Sequence, residues 1–291
     1  MNITREVLIS AIILSILLIV SGAEQCPQGG SFGGLGGGGT SAAGSGVDFA
    51  LQSGIDKLTS GKEITLGDSF FVDVLIENYD PEPRAGQICI RDDIDDAYGG
   101  ISDFCKQFSI EGATYVGDAF QSSATKRIAF PENGYYKYEN LPAELNAKAY
   151  TSMSYTQHSV ISGAVKAPLP EQETISLLEK ASPLGLSVEK TITSREESVK
   201  ANLKITFTKK GNYNITSTDF KKEAIQFSSQ LGTYNLDCPE VKQGFVDFKN
   251  TKFISCSALL PREQITHPLI ISLDYGVKLS KETDFKIKKA L

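Results

Sequence analysis

The chain has 291 residues, a length that suits two ordinary sandwich domains better than one. Apolar residues make up 41% and charged residues 22%, so most of the chain can bury a core. The formal net charge is -6, no Lys/Arg-rich patch stands out and only two His occur, which argues against nucleic acid as a partner and leaves few candidates for acid/base or transition-metal chemistry near pH 7.

Arg5 lies in a short polar start, followed by an apolar run from Val7 to Val20 and then Ser21-Gly22-Ala23. Small residues at Ser21 and Ala23 fit a signal-peptidase site with cleavage after Ala23. As a helix, the 17 residues from Val7 to Ala23 span about 25 Å, the short limit for crossing a bilayer. Residues 1–23 are therefore expected to be a signal peptide or a membrane anchor, the anchor meeting the membrane through residues 7–23. After Arg5 the next basic residue is Lys57, so the positive-inside rule puts the bulk of the chain outside the cytoplasm. Residues 24–46 are expected to be a Gly-rich tether, with ten glycines between Gly29 and Gly46. A flexible coil of that length averages about 25 Å end to end. It lacks the Gly-Lys-Ser/Thr of a phosphate-binding loop, and no strand precedes it.

From Val47 the pattern turns to strands. Val47–Leu51 alternates, Phe70–Ile76 is β-rich, and Asn78-Tyr79-Asp80-Pro81-Glu82-Pro83 breaks the run. Gln87–Arg91 resumes it, with Ile88 and Ile90 on one face and Cys89 on the other. Further strands are expected at Lys126–Phe130, Tyr135–Tyr138, Ala147–Gln157 and around Val160–Val165. Pro168 to Pro183 reads as a boundary whose middle, Glu171 to Lys180, has the pattern of a short helix or of a packed linker. Beyond it, strands are expected at Leu186–Glu189, Val199–Phe207, Asn214–Thr216, Ile225–Phe227, Phe245–Phe248, Phe253–Leu259, Leu269–Leu273, Tyr275–Leu279 and Phe285–Ile287. Strands at this spacing with turn signals between them predict an all-β chain of sandwich type. The expected domains are 47–168 and 183–289, joined by a linker at 169–182.

Five cysteines occur: Cys26, Cys89, Cys105, Cys238 and Cys256. Outside the cytoplasm an even set reads as disulfides, and one bridge per domain, Cys89–Cys105 and Cys238–Cys256, is the simplest pairing. No Cys-x-x-Cys occurs and no His lies near a Cys pair, which disfavours zinc. Cys26 is left over, as an intermolecular disulfide or a free thiol; Glu24-Gln25 before it is a poor setting for lipidation.

Several stretches carry a resemblance. Ala181-Ser182-Pro183-Leu184-Gly185-Leu186-Ser187-Val188-Glu189 and the charged strand from Lys200 to Lys209 with its Gly211-Asn212-Tyr213 turn match, and the best match is His267-Pro268-Leu269-Ile270-Ile271-Ser272-Leu273-Asp274-Tyr275-Gly276-Val277 followed by Ser280-Lys281 and Phe285-Lys286-Ile287. Phe70–Asn78 and Ala147–Thr156 match more loosely. The chain resembles a family of uncharacterised exported archaeal proteins with paired immunoglobulin-like β-sandwich domains. The resemblance covers about two thirds of the chain and implies two immunoglobulin-like sandwiches after an N-terminal hydrophobic helix and tether. It also implies a Cys pair at Cys238 and Cys256, and it brings no catalytic residues. Fold likeness alone implies no activity.

Four candidate sites remain. Asp92, Asp93, Asp95 and Asp96 before Gly99-Gly100 offer the oxygen ligands that Ca²⁺ prefers. Ala97 falls where a further ligand is needed and no Glu closes the loop, so a solvated acidic loop is the simpler reading. His158 and His267 are the candidate bases, with Asp103 and Asp118 as possible partners, but no Gly-x-Ser-x-Gly or His-Glu-x-x-His motif accompanies them. Asn214-Ile215-Thr216 is a glycosylation acceptor outside the cytoplasm. Tyr135, Tyr136 and Tyr138 form either a half-buried strand or a ligand platform. The expected protein is thus non-catalytic and without a cofactor, with an adhesion, envelope or surface-assembly role through a protein or glycan partner. A secreted enzyme, or an accessory binding module of one, is the alternative.

Overall fold

The computed structural model describes residues 46–52, 58–59, 61–116, 119–178, 182–194, 197–249 and 251–289. The expected N-terminal helix, the tether and Cys26 lie outside the described residues. Among the described residues no helix is long and apolar enough to cross a membrane.

The chain is all-β. Its first part contributes β1 (Val47–Leu51), β2 (Lys62–Thr65), β3 (Ser69–Phe70), β4 (Val72–Asn78), β5 (Arg84–Asp92), β6 (Phe104–Ile110), β7 (Thr114–Val116), β8 (Ala119–Ser122), β9 (Ala124–Phe130), β10 (Tyr136–Lys137) and β11 (Leu145–Ala167). The remainder contributes β12 (Gln172–Ile175), β13 (Leu177–Leu178), β14 (Leu184–Ser194), β15 (Ser198–Lys209), β16 (Asn214–Thr216), β17 (Ala224–Leu231), β18 (Tyr234–Asn235), β19 (Phe245–Asp247), β20 (Phe253–Pro261) and β21 (Ile265–Lys288).

Two of these strands organise the rest. All 23 residues of β11 pair with β21 in one unbroken antiparallel register, from Leu145 opposite Ile287 to Ala167 opposite Ile265. At about 3.3 Å per residue this ribbon runs roughly 75 Å. The expected breaks at Gln157–Val160, at Asp274 and between Leu279 and Phe285 are absent. Their physical reason is phase: the odd-numbered residues Ala147, Ala149, Met153, Tyr155, Ile161 and Val165 are all buried, so the alternation never slips. β21 keeps the same parity through Leu269, Ile271, Leu273, Tyr275, Val277, Phe285 and Ile287.

The ribbon is the centre of a ten-stranded sheet with the order β18-β17-β21-β11-β5-β6, extended along its sides by β2, β13, β16 and β19. Two smaller sheets cover the face that carries the odd-numbered residues of β11 and β21. The sheet β1-β4-β9 lies over one end, where the Val47 N–H donates to the Tyr155 hydroxyl and the rings of Phe104 and Phe130 meet edge to face. The sheet β12-β14-β15-β20 lies over the other end, where Phe207 meets Phe227 edge to face and Lys190 Nζ donates to the Lys166 carbonyl. Each sandwich therefore contains strands from both the 47–168 and the 183–289 segments. Within 169–182, Gln172–Ile175 and Leu177–Leu178 are strands: β12 pairs with β14 and β13 pairs with β11. Pairing with these long strands overrides any local helical preference at Gln172–Leu178.

A buried polar chain marks where the sandwiches meet. Asp80 accepts from Arg84 at 2.6 Å and from Gln157 at 2.7 Å, and Ser182 bonds to the Tyr275 hydroxyl at 2.7 Å. Lysines close the open sides of the first sandwich. Lys106 on β6 donates to the Ala129 carbonyl and Lys126 on β9 donates to the Ser109 carbonyl, so each edge strand covers the other's. On the opposite side Lys281 reaches Asp48 and the Phe49 carbonyl of β1.

Candidate functional site

Both disulfides form as expected. Cys89 and Cys105 are register partners on β5 and β6 with Cα atoms 4.0 Å apart, and Cys238 and Cys256 are 4.2 Å apart, inside the roughly 7 Å limit for bridging. Their settings differ. Cys256 is 1% exposed and ties β20 of one sheet to the connection after β18 of the other, whereas Cys105 lies exposed on the surface of the large sheet.

The four acidic residues Asp92, Asp93, Asp95 and Asp96, at and beyond the end of β5, are not gathered around one point. Asp92 turns inward, 8% exposed, and accepts from the Tyr138 hydroxyl at 2.5 Å and from the backbone N–H groups of Ile101 and Ile94. Burial pushes its carboxyl above the usual range, opposed by those three hydrogen bonds. Burial also raises the Tyr138 phenol, and the bond to Asp92 adds to the effect. Asp93 instead accepts from the Lys148 N–H, and Asp95 accepts from the Ala97 N–H to cap a single 3-10 turn at Asp96–Tyr98. Gly100, at φ 93°, passes so close to Tyr138 that a Cβ would sit 2.1 Å from the ring. Among the described residues no three His, Cys, Asp or Glu are grouped as metal ligands.

The two histidines occupy opposite faces of the ribbon. His158 is even-numbered and exposed, and its Nδ1 lies 2.6 Å from Oδ1 of Asp274, its register partner on β21. His267 is odd-numbered and 7% exposed, packed edge to face on Tyr234, with Nε2 unpartnered among the described residues. No single site contains both. Asp103 stands on the same open face as His158, and Asp118 lies outside the described residues.

Tyr136 and Tyr138 point inward beside Phe70, and Tyr138 also stacks on Phe285, while Tyr135 is 66% exposed beside Phe71. They form no common platform. Asn214 is exposed at the start of β16, opposite Lys278, while Thr216 is buried and donates to the Ser217 carbonyl.

The feature that sequence reasoning missed is the face of the ten-stranded sheet that carries the even-numbered residues of β11 and β21. Neither small sheet covers it. Register sets three parallel rows across its first end. The middle row is Cys105, Cys89, Ser152 and Ser280, all small or flat. On one side stand Arg91, Tyr150 and Glu282, and on the other Gln107, Gln87, Ser154 and Lys278. The small middle row leaves a hollow of about 430 Å³. Only the pairing of four strands brings these residues together, so no contiguous signal announces them.

Fold and disulfides define the class: an all-β, sandwich-type protein stabilised by two internal disulfides, which fits an oxidising, extracytoplasmic setting. No protein-family model matches the chain, and no curated protein matches it.

Proposed function

We propose that the protein is a non-catalytic cell-surface or secreted protein, acting in adhesion, envelope structure or surface assembly through immunoglobulin-like sandwiches. One observation carries this reading: the sheet face turned away from the two small sheets is open over Ser152, His158 and the Cys89–Cys105 bridge, while the Ser217–Phe220 turn crosses it at Gly276 and Lys278. Such a face offers area and rigidity to a protein or glycan partner. Residues 1–23 deliver the chain across the membrane, and 24–46 give the sandwiches reach from the surface if the anchor stays uncleaved.

A secreted enzyme, or a binding module of one, is the second reading. The His158–Asp274 pair favours it, because a carboxylate on one imidazole nitrogen orients the other toward a substrate. Separating the two takes cell fractionation with N-terminal sequencing, beside an activity screen on extracellular polymers. The leading reading expects the chain at the envelope or in the medium with oxidised cysteines and no turnover. Turnover that disappears in His158→Ala would establish the enzyme instead, and a reduced cytoplasmic chain would overturn both.

A further inference from the structure

We infer that the hollow over Cys89, Ser152 and Ser280 binds an uncharged oligosaccharide segment. This rests on the surface-binding reading above and names the ligand class of its open face. The hollow runs across β6, β5, β11 and β21, perpendicular to the strands, and spans about 14 Å from first to last at the usual inter-strand spacing.

Its chemistry suits a sugar chain. The floor presents the apolar disulfide and the hydroxyls of Ser152 and Ser280, each able to donate and accept. On one wall the Arg91 guanidinium lies 4.6 Å from the Tyr150 ring centroid, giving a flat stacked pair for the C–H face of a pyranose with N–H groups at its rim.

Charge excludes the polyelectrolytes. Asp103, Arg91 and Glu282 all line the hollow, and Glu282 is held by Lys148 at 2.8 Å, so both signs of charge surround it. A polyanion meets Asp103 and Glu282, and a polycation meets Arg91 and Lys148. An extended peptide is disfavoured as well. Peptides add to sheets along a free edge by backbone hydrogen bonds, and the middle of the floor, Cys89 on β5 and Ser152 on β11, is paired on both sides.

The test is affinity electrophoresis of the full chain through gels containing glucomannan, xyloglucan or starch, with alginate as the polyanion. Variants are Tyr150→Ala, Ser152→Tyr to fill the floor, Ser280→Tyr as a second filler, and Ser228→Tyr elsewhere on the open face. At least one neutral polymer is expected to retard the protein. Tyr150→Ala weakens that retardation about tenfold, either filler abolishes it, and Ser228→Tyr leaves it unchanged. Circular dichroism confirms that each variant is folded, and two independent fillers guard against loss of one. Retardation by alginate alone, by no polymer, or undiminished in both folded fillers would overturn the site. An envelope-located chain with no retardation defeats this site while leaving the surface role standing.

Discussion

His158 and Asp274 face each other across β11 and β21 at 2.6 Å, near the middle of the ribbon that both segments of the chain share. The pair is short but exposed, with side chains 58% and 38% accessible. Water screens it, and holding it costs side-chain entropy. Asp274→Asn is therefore expected to change stability by less than about 1 kcal/mol in urea denaturation. A larger loss would mean that the pair holds the ribbon together.

The two disulfides should separate under mild reductant. Cys105 is exposed on the open face, whereas Cys256 is buried between sheets. Dithiothreitol applied to the folded protein is expected to open Cys89–Cys105 first, leaving Cys238–Cys256 closed until unfolding. Alkylation and peptide mass mapping read the order directly. Replacing both Cys238 and Cys256 by Ser is expected to cost about 3 kcal/mol in the chain-entropy account.

Lys190 is wholly buried, and its ammonium meets Glu173 at 2.8 Å and the Lys166 carbonyl at 2.7 Å. This fastens β14, through the sandwich interior, to the end of β11. Lys190→Ala removes the stem and leaves both acceptors without their donor. A loss of about 3 kcal/mol is expected by chemical denaturation, moderated because Glu173 keeps partial access to water.

Asp92 gives a pH dependence of definite sign. Its folded pKa is raised, chiefly by burial, so the folded state holds the proton more tightly than the unfolded chain does. The stability this adds is complete below the unfolded value and is lost as pH rises through the folded value. Relative to Asp92→Asn, the wild type should therefore lose stability as pH climbs from the ordinary carboxylate range through that raised value. Thermal denaturation of both proteins across this window checks it, and a difference of opposite slope would contradict it.

Much of this fold is legible residue by residue, and the limits have a physical cause. Val47–Leu51, Asn214–Thr216 and Phe253–Leu259 announce themselves by alternation and flanking turn residues, and the structure has strands there. Both cysteine pairs follow from export and from one pair per segment. The length of β11 was hidden because Gln157, His158 and Ser159 look like a break, although Gln157 and Ser159 keep the buried parity. The pairing of Gln172–Ile175 with β14 and of Leu177–Leu178 with β11 is a non-local choice that the local sequence does not announce. The rows over Ser152 and Ser280 were invisible for the same reason: they exist only in the register of four strands.

Hydrogen exchange along β11 and β21 tests the shared ribbon most directly. If one sheet runs through both sandwiches, the amides paired across Thr156–Val160 and Ser272–Gly276 exchange as slowly as those of Ala149–Met153 and Ile161–Val165. Rapid exchange confined to that middle stretch, between two protected ends, would contradict it and return the chain to two separate sheets.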